Sequence, residues 1–232
     1  MTKPSIIVRE LSIMSEAMWP FRDGKPVWRH RPLGSVGKFD PFPAYPHQRE
    51  VVDAAVKHVQ SCFAPLWDVE LFIADREEEG RSNGYSSVCQ DGHYEDDEWV
   101  KDPPVGLIML SGKRVPPHPA VTRHLVAHEY GHHVEWMLND ARGEQNLYSD
   151  ALVAEYAKMR GLPESTMHDG EGGTWHDSVH EIFACDFRIM VCDVETAYWP
   201  HPGVPHPHEV EGLPGWWHDA LSAARRATGG QQ

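Results

Sequence analysis

The sequence predicts an α+β fold: a small sheet, then a helix built around a run of histidines, then a second long helix carrying a glutamate. Three observations lead there. The apolar runs Val69–Ala74 and 106–111 have strand length and composition. The segment after Pro117 and Pro119 keeps a helical period to near Asn139, and the segment from Thr174 keeps one to near Val194. At 232 residues and 41% apolar content the chain can build one sizeable core, which residues 47–232 are expected to form.

Residues 1–46 are expected to be an extended arm. Seven of the 19 prolines lie there and forbid a long helix. Its aromatics Trp19, Phe21, Trp28, Phe39, Phe42 and Tyr45 demand burial, along the domain's own surface or on another subunit. Residues 47–63 read as a helix, because Val51, Val52, Ala55, Val56, Val59 and Phe63 recur at helical spacing. The strand Val69–Ala74 follows. Residues 75–102 read as a solvated loop, since ten acids there face only three basic residues. After the strand at 106–111, Pro117 and Pro119 suit a helix start, where a missing N–H is harmless. Residues 147–159 read as a further helix, closed by Gly161-Leu162-Pro163. Thr174-Trp175-His176-Asp177 has the form of a capping box opening the helix that runs to near Val194. A stretch rich in proline and histidine, 200–208, leads to a last amphipathic helix at 214–226.

The net charge of −14 repels phosphate backbones, so nucleic acid is not an expected partner. No apolar run reaches 18 residues, so no transmembrane helix is expected. The N-terminal apolar run Ile6-Ile7-Val8 ends in charge and does not read as a secretory signal, so a cytoplasmic location is expected. Cys62, Cys89, Cys185 and Cys192 read as reduced thiols. Cys185 and Cys192 on one helix would stand about 10 Å apart along its axis, too far to bridge.

The chemistry concentrates in His124-Leu-Val-Ala-His128-Glu129-Tyr-Gly-His132-His133. Residues four apart share a helix face, so His128 and His132 can aim both imidazoles at one ion. Glu129 lies about 100° around the helix from His128, near that face without being forced to ligate. It can take a proton from a metal-activated water, which is the logic of the HExxH metalloprotease signature. Val126, Tyr130, Val134, Met137 and Leu138 form a separate stripe for the core. Gly131, costly inside a helix, points to a close approach by another backbone or by substrate.

Two histidines leave a zinc site one protein ligand short. The extended form HExxHxxGxxH fails, because Glu135 and Leu138 stand at its last two positions. The best third ligand is Glu181, in Val179-His-Glu181-Ile-Phe-Ala-Cys185-Asp186-Phe, with Cys185 on the same face. Asp177, His176 and His180 are the alternatives.

A HExxH helix followed some 50 residues later by Glu-x-Phe-Ala-x-x-Phe resembles the gluzincin metallopeptidases, above all the branch with the anthrax lethal factor catalytic domain. The resemblance spans residues 105–195 and rests on the two motifs. It implies a zincin-like domain, Zn2+ as cofactor, Glu181 as third ligand and Glu129 as general base. It also implies an acid four residues after the ligand glutamate; here that place holds Cys185, and Asp186 comes one later. Gly173-Thr-Trp-His-Asp177 is similar to the Gly-Thr-x-Asp pattern of aspzincins, with the spacing off by one. Tyr156 and the histidines at 201, 206 and 208 are further candidates to stabilise an oxyanion. His124 and His133 read as neighbours of the site or as exposed. Tyr148 reads as core or a neighbour of the site, and Trp216 and Trp217 as a cap on the core.

The expected activity is hydrolysis of peptide bonds in a peptide or protein substrate. An endopeptidase is favoured, because the Gly-x-Met-Glu-Asn motif of aminopeptidase gluzincins is absent. The rival expectations are an assembly subunit that retains a zinc site, as in a virion or secretion particle joined through the arm, and a zinc hydrolase acting on other bonds.

Overall fold

A computed structural model describes residues 3–9, 48–74, 84–90, 92–95, 98–111, 118–144, 146–163, 166, 175–194 and 199–229. They are mixed α+β, with strands β1 (Ile6–Arg9), β2 (Val69–Ala74), β3 (Gly84–Cys89), β4 (Gly92–Glu95), β5 (Glu98–Lys101) and β6 (Val105–Ser111). The helices are α1 (Gln48–Cys62), α2 (Pro119–Ala141), α3 (Asp150–Arg160), α4 (Val179–Asp186) and α5 (Leu213–Ala227). No helix among the described residues is long and apolar enough to cross a membrane. The chain divides into two compact units, one drawn from residues 4–56 and 67–126, the other from 1–3, 57–66 and 127–232.

The first unit holds a four-stranded sheet in the order β1-β2-β6-β3. β1 and β6 flank β2 in parallel, and β3 runs antiparallel to β6. Val69, Leu71, Ile108 and Leu110 are fully buried, as expected of apolar strands at a sheet's centre. Two expectations change here. The chain at Ile6–Arg9 is a paired strand, not extended arm; Ser5 ties its start by donating its N–H to Asp68 Oδ1 at 3.0 Å. The rest of the arm, 10–46, lies outside the described residues.

The stretch read as one acidic loop contains β3 and a separate two-stranded ribbon of β4 and β5. Counting charge over the whole stretch hid this. Acids such as Glu77, Glu78, Asp91, Asp96 and Asp97 fall between the strands, and β3 itself carries none.

The second unit is helical. Ser149 caps α3 by accepting the N–H of Ala151, and Gly161 ends it in the left-handed region at φ 69°. Phe183 of α4 packs at 4.8 Å from Trp217 of α5 and 5.0 Å from Tyr156 of α3, ring centre to ring centre. Behind these rings Asp186 is fully buried. It accepts a 2.5 Å bond from the Tyr156 hydroxyl and a 2.7 Å bond from Arg160 Nε.

The helix expected from Thr174 is not continuous. A 3₁₀ turn, Trp175–Asp177, precedes α4, and Ser178 is the cap, without a side-chain bond. Thr174 lies outside the described residues. A π turn, Phe187–Val191, follows α4; it closes with the Cys192 N–H on Phe187 O at 3.2 Å. Arg188 is buried inside this turn and donates through Nη1 to Val194 O at 2.7 Å.

Candidate metal centre

His128 and His132 stand one turn apart on α2, with ring centres 5.1 Å apart and planes nearly perpendicular. The stripe expected to bury beside them does so: Val126, Tyr130, Val134 and Met137 are fully buried and Leu138 nearly so. Tyr130 also donates its hydroxyl to Phe63 O at 3.0 Å, which fixes the helix about its axis.

The helix that carries Glu181, α4, lies directly against this helix at Gly131. A Cβ added there would meet Ala184 Cα at 2.8 Å and Ala184 O at 2.9 Å, so only glycine permits the approach. The close approach expected from the sequence is thus made by the backbone of α4. It brings Glu181, in the first turn of α4, to the histidines.

Glu181 Oε2 lies 2.9 Å from His128 Nε2, and Oε1 lies 3.6 Å from His132 Nε2. One donor atom from each of the three residues falls within 4.8 Å of the others, and no other such group of three occurs among the described residues. Two imidazoles and a carboxylate around one point fit the His2Glu ligand set of catalytic zinc sites, which keeps a coordination position open.

The electrostatics follow from the same contacts. Burial pulls the His128 imidazole down, but Cys185 and Glu181 outweigh it and hold the ring well above its usual range. His132 is raised in the same way, burial opposing and Glu181 prevailing. Burial pushes Glu181 up, yet His132 and His128 hold its carboxyl far below the ordinary range. Glu129 follows His128 directly, is 5% exposed, and acts on His132 through its charge.

The remaining candidates separate cleanly. His176 and Asp177 are exposed, and His180 pairs through Nδ1 with Glu135 at 2.8 Å, so none joins the cluster. Tyr156 is buried on Asp186, away from any oxyanion role. Tyr148 is 48% exposed and rests edge-on against Trp136, so it is not core. His133 is buried against Trp136. His206 accepts the His208 N–H in a surface turn.

Two residues do more than the sequence indicated. Cys185 Sγ sits 3.4 Å from His128 Nδ1, behind the ring relative to Glu181. His201, fully buried, bonds His176 O through Nδ1 and also hydrogen-bonds Cys185. Burial raises the Cys185 thiol, but His128 and His201 bring it down to about 5. The spacing of four from Glu181 places Cys185 on the shared face. Nothing in the sequence marks His201 out from its neighbours.

No family model matches the chain, and no curated protein or solved structure matches it.

Proposed function

We propose that the chain is a zinc-dependent metallopeptidase of gluzincin type, with the ion held by His128, His132 and Glu181 and with Glu129 as general base. The observation that carries this reading is the convergence of the three donor atoms within 4.8 Å, one residue from a buried glutamate. Zinc, when bound, supplies Lewis acidity toward water and toward an amide carbonyl. The chain supplies the rest. Glu129 takes the proton from the attacking water on its carboxylate and delivers it to the leaving nitrogen. Cys185 accepts the Nδ1–H of His128, which leaves Nε2 free to ligate. Burial of His128 and Glu129 keeps bulk water from competing for the proton. The substrate is a peptide or protein, cut internally.

Elemental analysis of purified protein should find about one zinc per chain, and the H128A/H132A double variant should lose it. Glu129→Gln keeps the shape and the zinc but cannot accept a proton. Its turnover on a peptide library should fall about a hundred- to ten-thousand-fold. Equal cleavage by wild type and Glu129→Gln at equal zinc content would remove Glu129 from the mechanism. Wild-type protein with full zinc and no cleavage would set the peptidase reading aside.

A further inference from the structure

We propose that Cys62 and Cys192 are a redox-active pair that closes to a reversible disulfide, Cys62 reacting first and Cys192 resolving, with a low-molecular-weight disulfide of the glutathione class as oxidant. Cys62 is the last residue of α1, and Cys192 closes the π turn after α4. Both belong to the second unit. Their side chains are in contact, each shifting the ionisation of the other.

The two segments are held together independently of the sulfurs. His58, one turn before Cys62, donates from Nε2 to Cys192 O at 2.6 Å. Cys62 Sγ in turn donates to His58 O at 3.2 Å, so it is the thiol, before it ionises, that rests on this carbonyl. No third histidine, cysteine or acid among the described residues completes a metal-sized cluster with the pair, so the geometry favours dithiol chemistry over a metal.

Exposure divides the roles. Cys62 is half-buried and can be reached, whereas Cys192 is 1% exposed and closed to a free oxidant. Charge divides them the same way. The Cys192 hydrogen bond, and after it His58 and Ser61, bring Cys62 down to about 6 against the opposing effect of burial. The bond to Cys62, with burial, pushes Cys192 far up. A thiolate attacks and a protonated thiol does not, so Cys62 leads.

The exchange balances. The Cys62 thiolate attacks one sulfur of RSSR; that S–S bond breaks, and RS⁻ leaves and takes up a proton. Cys192 then attacks the Cys62 sulfur of the mixed disulfide, the bond from that sulfur to RS breaks, and the Cys192 proton passes to the departing group. Two protein thiols have lost two electrons, and RSSR has become two RSH. Cys185, equally buried but engaged by His128 and His201, takes no part.

The full-length chain, reduced and then incubated with oxidised glutathione, should be quenched with an alkylating agent under denaturing conditions. Its mass without alkylation should fall by two hydrogens. Two of its four cysteines should become unreactive to the agent, a digest should contain one peptide pair joined through Cys62 and Cys192, and dithiothreitol should reverse all three changes. Cys192→Ser should stop at the mixed disulfide and carry one glutathione on Cys62. Four reactive cysteines after oxidant, or a bond through Cys89 or Cys185, would overturn the assignment. The wild-type digest decides even if Cys192→Ser does not fold, and its outcome is independent of the zinc reading.

Discussion

Cys185 presents a sulfur where a metal-holding imidazole more often meets a carboxylate or a backbone carbonyl. Its contact with Nδ1 of His128 at 3.4 Å orients the ring. Serine is smaller and lacks the lowered thiol, so Cys185→Ser should weaken zinc binding about 10- to 100-fold in competition with a chromophoric chelator. Unchanged affinity would remove Cys185 from the site. The metal-stripped protein should also show a distinctive pH dependence. His128 is raised above its usual 6.5, so its stabilisation is complete below 6.5 and is lost as pH rises through the folded value. Glu181 is lowered from 4.5, so its stabilisation is complete above 4.5 and is lost as pH falls through its folded value. On the alkaline side Cys185, lowered from 9.0 to about 5, gains stabilisation as pH rises and offsets the His128 loss, so the clear signature is acidic: thermal midpoints of stripped protein should fall as pH drops below 4.5. A midpoint indifferent to acid down to about pH 3 would contradict the His128–Glu181 pairing. At this scale the clustering of His128, His132 and Glu181 was legible, because a helical period fixes which side chains share a face. His201 was not, because the proline-rich stretch around it has no period to read.

At the scale of elements, the site depends on α2 and α4 meeting backbone to backbone. Alanine at position 131 would improve helix propensity by about 1 kcal/mol. Against this, its Cβ would sit 2.8 Å from Ala184 Cα, a main-chain atom that no rotamer change can move. Overpacking of this kind typically costs about 1–3 kcal/mol, so the clash prevails and Gly131→Ala should lower the urea midpoint. A raised midpoint would mean that the helices do not touch there. The helices themselves were legible from apolar periodicity, and Gly161 was legible as a stop. The π turn was not, because five residues are too few to tell its wider period from that of an α-helix. The strands β3, β4 and β5 were hidden for another reason. Each is short, and the joins between them carry the acids that dominate the local composition.

For the whole molecule, the three candidate ligands are contributed by α2 and α4 of one unit, 53 residues apart in sequence between His128 and Glu181. An ion that binds only when they are assembled stabilises the folded state by mass action, about 4 kcal/mol at a thousandfold excess over Kd. Chelation should therefore lower the calorimetric midpoint. Zinc should restore it and magnesium should not, since two of the three donors are nitrogens. A midpoint indifferent to chelation would argue against a resident ion. The division into two units falls inside α1 and α2, where no change of composition marks it. Descent poses a different question. Gly131 stands three residues after His128, and Ala184 three after Glu181. The obstruction at Ala184 is main chain, so no substitution at 184 could compensate for a side chain at 131. An ancestor or cousin with any other residue there must have set its helices further apart, and would have needed a third ligand reaching across the wider gap. Kinship to this protein is thus better traced through the glycine of His-Glu-x-Gly-His than through the three candidate metal donors alone.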